Sequence, residues 1–288
     1  MNKSQTIKIT SPTSLLEAIY NFKKDLSKKT IKSYIKNGMV SVNNKTITNS
    51  SLLINTNDIV NISYSKKVIP NYNLDILYED DYLIAINKPQ GLLSISNDKE
   101  KFFTAYRMVS DYIKTNNKRN YIFVVHRLDQ DTSGILLFCK DQKIRDKMQD
   151  NWNNIVKKRG YIALLDGKCT KDGTYHSYLL ENHHQFVYSS KNNQGKEAIT
   201  HYQVLKYNNN YTLVQVFIDT GRRNQIRVHF SEHGYPLVGD KKYGCHTNPL
   251  KRLCLHANIL EFIHPITKKL IHLETPYPKE FNSLLKEK

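Results

Sequence analysis

No stretch of this 288-residue chain approaches the roughly 18 consecutive apolar residues that a membrane-spanning helix needs. Its start, MNKSQTIKIT, lacks an apolar core followed by a small-residue cleavage site, which argues against secretion. Cysteine is scarce. Cys139, Cys169, Cys245 and Cys254 are widely spaced, form no CxxC pair and imply no disulfide framework. These absences lead to the expectation of a cytoplasmic protein with no membrane partner. Acid is also in short supply, with 26 acidic residues against 43 basic ones and a formal net charge of +17. A surplus of that size favours a polyanionic partner, nucleic acid foremost.

Several chemistries lack their motifs. There is no G-x-x-x-x-G-K-[ST] for a nucleoside triphosphate, no G-x-G-x-x-G for a dinucleotide and no H-E-x-x-H for zinc. No G-x-S-x-G elbow presents an acyl-transfer serine. Cys245, His246, Cys254 and His256 cluster loosely, but their spacing fits no zinc pattern. The expectation is a reaction with no metal and no small-molecule cofactor.

The basic charge is concentrated at the front. Residues 1–67 hold eleven lysines against Glu17, Asp25 and Asp58. Ser14 and Glu17 have capping-box spacing, and Leu15, Leu16, Ile19 and Tyr20 form the apolar stripe of a first helix. Ser27 can cap a second helix, and Gly38 can end it. Lys28, Lys32 and Lys36 recur every fourth residue on that helix, with Ile31, Tyr34 and Ile35 on a neighbouring face. MVSVNNKTIT then gives a strand, an Asn43–Asn44 turn and a second strand, and DIVNISY gives a last strand. Through LSKKTIKSYIKNGMVSVNNKTI and NTNDIVNI this order resembles an S4-type RNA-binding domain, which implies RNA-backbone contacts from the helix pair. Periodicity lapses around Pro70, so the boundaries are an S4-like module over 1–67, a linker over 68–74 and a large domain over 75–288.

The large domain reads as strands with interspersed helices. YLIAIN is a short buried strand ended by Lys88, Pro89 and Gly91, and YIFVV and ILLF flank a polar insert. Ile144, Met148 and Trp152 mark one amphipathic helix after Asp141. GYIALLDG and YTLVQVFIDTG read as strands. RRNQIRVHFSEHG reads as a helix, with Ile226 and Phe230 on one face and Arg223 and Arg227 on another. Strands without regular strand–helix alternation argue for an α+β fold with a mixed or antiparallel sheet.

Three polar islands stand out: HRLDQDTSG, RGY at 159–161 and TGRRNQIRVH. HRLDQDTSG resembles the signature of the RluA family of pseudouridine synthases. NKPQGLLSIS, RGYIALLDG, TGRRNQIRVH, YPLVGDKKYG and RLCLHANILEFIHPIT are similar to further family segments, in the same order. The resemblance implies a pseudouridine-synthase-type domain in which Asp129 is the essential aspartate, Arg227 its paired arginine and Tyr161 the tyrosine that stacks on the base and can take a sugar proton. It further implies that Arg127 holds RNA with the base turned out, with Arg222 and Arg223 as additional RNA contacts. Taken alone, Asp129 reads as a turn-capping aspartate, Tyr161 as a half-buried strand residue and Arg227 as a surface helix residue. Asp131, Thr132 and Ser133 read as a structural turn, and Asp240, His256 and His264 as structural. The chain departs from the family where Thr–His is replaced by Arg223–Asn224, and where NKPQGLLSIS lacks a histidine common after that stretch.

The expected function is therefore isomerisation of uridine in structured RNA, ribosomal RNA of the large subunit first, by a monomer. Transfer RNA as substrate and a non-catalytic ribosome-assembly factor are the alternatives. The intact HRLD, Tyr161 and Arg227 set speaks against the non-catalytic factor. A nucleoside hydrolase would want a second carboxylate beside the first.

Overall fold

A computed structural model describes residues 4–36, 38–47, 49–63, 74–98, 100, 103–117 and 119–285, the side chains of Lys36 and Asn116 excepted. The chain divides into two compact units, residues 1–73 with 96–103, and residues 74–95 with 104–288. The 68–74 linker falls outside the described residues except for Leu74.

The smaller unit starts with β1 (Ser4–Lys8) and β2 (Thr13–Ser14), followed by α1 (Leu15–Phe22) and α2 (Lys28–Lys36). It closes with β3 (Val40–Val42), β4 (Lys45–Thr46), β5 (Leu53–Ile54) and β6 (Ile59–Ser63). Ser14 Oγ accepts from the Glu17 N–H at 3.3 Å and so caps α1, while Ser27 Oγ accepts from the Thr30 N–H at 3.1 Å and caps α2. The Glu17 carboxylate pairs with Lys28 at 2.5 Å. Gly38 takes φ +66°, and the Met39 N–H reaches back to the Tyr34 carbonyl, the C-terminal cap that a left-handed glycine makes possible. Asn43 and Asn44, both at positive φ, turn β3 into β4. Leu15, Ile19, Ile31, Ile35, Val40, Val60 and Ile62 form the core, which leaves Lys28 and Lys32 exposed on the outer face of α2.

In the larger unit, β7 (Ile76–Glu79) and β8 (Leu83–Lys88) precede α3 (Ala105–Asn116), β9 (Phe123–Val124) and β10 (Ser133–Cys139). Next come α4 (Gln142–Asp150), α5 (Trp152–Ile155) and the long β11 (Val156–Asp166). A run of strands follows: β12 (Gly173–Glu181), β13 (Val187–Ser189), β14 (Lys196–Tyr207) and β15 (Tyr211–Ile218). The unit ends with α6 (Gln225–Glu232), β16 (Leu255–Ile263), β17 (Leu270–Glu274) and two short 3-10 turns at Lys241–Tyr243 and Lys279–Leu285. The strand order is β13-β12-β14-β15-β11-β16-β10-β8-β7, with β17 added to β16 and β9 to β10. Among the described strands of this sheet only β10 and β16 pair in parallel, so the sheet is mixed and the domain is α+β.

Two helix readings need correction. Trp152 does not continue the helix of Ile144 and Met148, because α4 stops at Asp150 and Trp152 opens a separate turn against the His126 ring. Likewise α6 begins at Gln225 with Asn224 left-handed before it, so Arg223 lies outside the helix and shares no helical face with Arg227.

All seven residues of β10 are buried, which explains why the SGILLFC run shows no alternation. At Gly134 the strand is flanked by Lys88 on one side and Ala257 on the other. A Cβ on Gly134 would lie 2.1 Å from the Ala257 carbonyl oxygen, and the residue sits at φ +112°. The glycine therefore lets three strands meet directly behind the HRLD loop. Gly134→Ala is expected to cost at least about 3 kcal/mol of stability, read as a lower urea midpoint. An unchanged midpoint would contradict this close approach.

Candidate active site

The HRLD loop joins β9 to β10 and is held chiefly by the segment that follows β8. Ser94 Oγ donates to the Leu128 carbonyl at 2.7 Å and accepts from the Leu128 N–H at 3.1 Å, so one hydroxyl fixes both backbone groups of that residue. Gly91 N–H donates to the Gln130 carbonyl at 2.9 Å, and the Gln130 amide returns to the Gly91 carbonyl. Lys88 is fully buried, and its ammonium donates to the carbonyls of Pro89, Leu92 and Gln130 at 3.0, 2.7 and 3.1 Å. Desolvation lowers this lysine to about 7, against the pull of Asp131 and Asp129. Asp129, between Leu128 and Gln130, thus has both chain neighbours anchored. The Thr132 N–H closes the turn onto the Asp129 carbonyl. His126 accepts the Leu137 N–H on Nε2, which puts its proton on Nδ1, and burial pushes it down to about 4.

The Asp129 side chain is one-third exposed and faces Arg227, with Nη1 to Oδ2 at 3.9 Å. That separation is longer than a hydrogen bond. The short partner of Arg227 is Asp240: Nε and Nη2 donate to its two carboxylate oxygens at 2.7 Å each. Reading Asp240 as structural leaves out this role, because the contact forms only when α6 packs beside the 241–243 turn. Asn224 Oδ1 accepts from Nη1 at 3.1 Å, and the Tyr243 ring covers the guanidinium at 4.9 Å. Hydrogen bonding to Asp240 and the nearby negative charges outweigh desolvation and raise the Arg227 pKa further, so it stays a cation.

Tyr161 lies on β11 next to an irregularity in its pairing with β16, between Gly160 and Tyr161, a distortion of the kind that re-aims side chains. Burial raises its hydroxyl, the Arg159 cation opposes this, and the Asp129 charge adds to it. Tyr161 and Arg227 are therefore each brought within electrostatic range of the Asp129 carboxylate. Arg159 donates to the Asp219 carbonyl and adds a cation on the Tyr161 side. Lys88, Arg159, Asn224 and Tyr243 carry no assigned role in the sequence reading. Each lies inside a quoted motif, but its job depends on contacts between distant segments.

The RNA-facing candidates divide. Arg127 is exposed and makes no hydrogen bond or ion pair among the described residues. Arg222 donates to the Glu197 carbonyl at 2.8 Å, and Arg223 is engaged by Glu181 and by Gln185 Oε1. Lys28 is paired with Glu17 and lies over the Tyr20 ring at 4.9 Å, whereas Lys32 is exposed. The Lys36 side chain lies outside the described residues. Cys245 is engaged by Thr247 and Asp166, and His256 by Ser133, so the loose Cys–His cluster is spent on separate contacts.

The sequence profile of RNA pseudouridylate synthases matches residues 82–232, more than half of the chain. The chain belongs to that family. An uncharacterised RNA pseudouridine synthase of Bacillus subtilis is 34% identical over 90% of this chain and 88% of its own length. Ribosomal large subunit pseudouridine synthase D of Haemophilus influenzae is 31% identical over 75% of this chain and 71% of its own. Among solved structures, human RNA pseudouridylate synthase domain containing 4 superposes with a TM-score of 0.60 at 22% identity, covering 72% of this chain and 90% of that one. This likeness supports the shared fold. The protein is an RNA pseudouridine synthase, and no helix among the described residues is long and apolar enough to cross a membrane.

Burial gives this fold an acid limit. His126, His229 and His256 are each pushed down to about 4, burial being the largest cause in all three. Unfolded histidine titrates near ~6.5, so between there and about 4 the unfolded chain holds more protons. Stability from these groups is complete above that window and is lost as pH falls through it, at about 1 kcal/mol per pH unit for each ring. Urea midpoints are expected to fall steadily from pH 7 to pH 5, with a shallower slope in His229→Asn. Equal midpoints at both pH values would contradict buried neutral rings.

Proposed function

We propose that this enzyme converts specific uridines of large-subunit ribosomal RNA to pseudouridine, with Asp129 as the reacting carboxylate. The observation that carries the reading is the placement of Asp129. It stands on a loop anchored at both neighbouring residues and within 3.9 Å of a permanently charged arginine that other groups hold still. The reaction breaks the bond between N1 and C1′, turns the base and joins C5 to C1′. The C5 proton is released and N1 gains one, so no oxidant, reductant or phosphate donor enters the balance. An ionised carboxylate serves either as a nucleophile or as a base that yields a glycal-like intermediate, and the Arg227 cation stands 3.9 Å from it.

Tyr161 supplies a ring for the turned-out base. Its raised hydroxyl stays protonated near neutrality, which suits a stacking face and hydrogen-bond donor better than a base. Arg127, exposed within the loop and without a hydrogen bond or ion pair among the described residues, is the cation suited to the flanking phosphate, with Arg222 and Arg223 as further RNA contacts. Extracting a base from its stack costs a few kcal/mol, which phosphate contacts and stacking on Tyr161 offset.

Ribosomal RNA is favoured by the relatives in Haemophilus influenzae and Nitrosomonas europaea, both ribosomal large subunit pseudouridine synthase D. The smaller unit, with two capped helices and a hairpin, fits an S4-like RNA-binding module over residues 1–67. Lys32 and, on the sequence pattern, Lys36 remain its phosphate contacts, while Lys28 must first leave Glu17. Such a protein would work in the cytoplasm, as a monomer on structured RNA and without a cofactor.

The test maps pseudouridine at single-nucleotide resolution in ribosomal and transfer RNA from cells with and without the gene. Specific large-subunit sites should disappear and return with the wild-type gene but not with Asp129→Asn. Loss confined to transfer RNA would reassign the substrate. Full rescue by Asp129→Asn would remove Asp129 from the chemistry.

A further inference from the structure

Asn224 occupies the place where members of the resembled family usually carry histidine. It is 7% exposed and stands at φ 55° and ψ 16°, a left-handed conformation that asparagine tolerates better than most residues. At the N-terminus of α6 an asparagine would ordinarily cap the helix, yet this side chain makes no such hydrogen bond. Its amide points the other way. Oδ1 accepts from Arg227 Nη1 at 3.1 Å, and Nδ2 donates to the Tyr243 hydroxyl at 3.0 Å. The orientation of the amide is dictated by chemistry, because a guanidinium has only donors and must face the oxygen.

Tyr243 is itself fixed. Its hydroxyl also accepts the Val187 N–H at 3.2 Å, and its ring lies over the guanidinium that Asn224 holds by the edge. The donors of Arg227 can then be followed one by one. Nε–H and one of the two Nη2 protons go to Asp240, one Nη1 proton goes to Asn224, and the other Nη2 proton is engaged by neither. The second Nη1 proton remains for Asp129, whose Oδ2 is 3.9 Å from that nitrogen. Without the amide oxygen, Nη1 would keep two free protons and lose the contact that fixes its side of the guanidinium plane.

We propose that Asn224 is a positioning residue for the isomerisation, holding Arg227 so that Nη1 presents its free proton to the Asp129 carboxylate; this rests on the roles given above to Asp129 and Arg227. Asn224 is buried and acts through Arg227, so its effect falls on the reacting geometry and leaves RNA affinity alone. Displacement of a catalytic cation by a fraction of an ångström slows the chemical step with little change in binding.

The experiment measures kcat and KM on ribosomal RNA for Asn224→Gly, Tyr243→Phe and the double variant, with Asp129→Asn alongside. Glycine adopts positive φ without strain, so Asn224→Gly removes the amide and keeps the backbone. Asn224→Gly is expected to lower kcat about tenfold or more at unchanged KM. Tyr243→Phe keeps the ring over Arg227 and should lower kcat by a smaller factor. The double variant should be no slower than Asn224→Gly, since both changes act through one amide. A wild-type kcat in Asn224→Gly beside an inactive Asp129→Asn would overturn the proposal while leaving the role of Asp129 intact. A change confined to KM would overturn it as well. Should Asn224→Gly fail to fold, Tyr243→Phe decides, and an unchanged kcat there counts against the proposal. Activity in Asp129→Asn would instead remove the underlying reading.

Discussion

The bidentate pair between Arg227 and Asp240 is the contact on which the rest of the site depends. Both side chains are nearly out of water, at 11% and 1% exposure, and the geometry is a two-point fork between guanidinium and carboxylate. Removing one partner of such a pair leaves a buried charge uncompensated, at about 3–5 kcal/mol. The arrangement frees Arg227 from relying on Asp129 for its neutralisation. Asp129 can then sit at 3.9 Å, one-third exposed and open to a substrate. A direct short pair between Arg227 and Asp129 would close the carboxylate proposed to react.

A second set of restraints works from the opposite side. Lys88, Gly91 and Ser94 grip the backbone on either side of Asp129, and Gly134 lets β10 leave the loop between two close neighbours. The loop is therefore fixed through its main chain and the arginine through its side chain. The Asp129 carboxylate is left one-third exposed between these two sets of restraints. Dividing restraint in this way keeps the Asp129 carboxylate in place while its oxygens stay unspent, as preorganised catalysis would require.

What could be read from the sequence followed how local the determining physics is. Ser14, Ser27, Gly38 and the Asn43–Asn44 turn act within a few residues of themselves, and each does in the structure what its residue type suggests. ILLF within β10 is apolar throughout because both faces of the strand are covered. β14 was harder to foresee, because its outer half is exposed and its alternation fades into polar residues. The partner of Arg227 was missed for a different reason. Asp240 lies thirteen positions away on a separate turn, so no helical spacing connects them. Lys88 is the extreme case: it contacts Gln130 across 42 positions and is a lysine with no exposed surface, contrary to every compositional expectation. The motif carried Asp129, but the groups that make Asp129 usable are tertiary.

The most direct measurement is the rate of pseudouridine formation by Asp240→Asn at saturating RNA, taken at a temperature where circular dichroism shows the variant folded. Asparagine keeps the shape of Asp240 but removes the charge and one of the two acceptors that the guanidinium fork needs. The expected result is a kcat lower by about a hundredfold, with KM near that of the wild type. A folded Asp240→Asn enzyme turning over at the wild-type rate would contradict the dependence of the site on this pair.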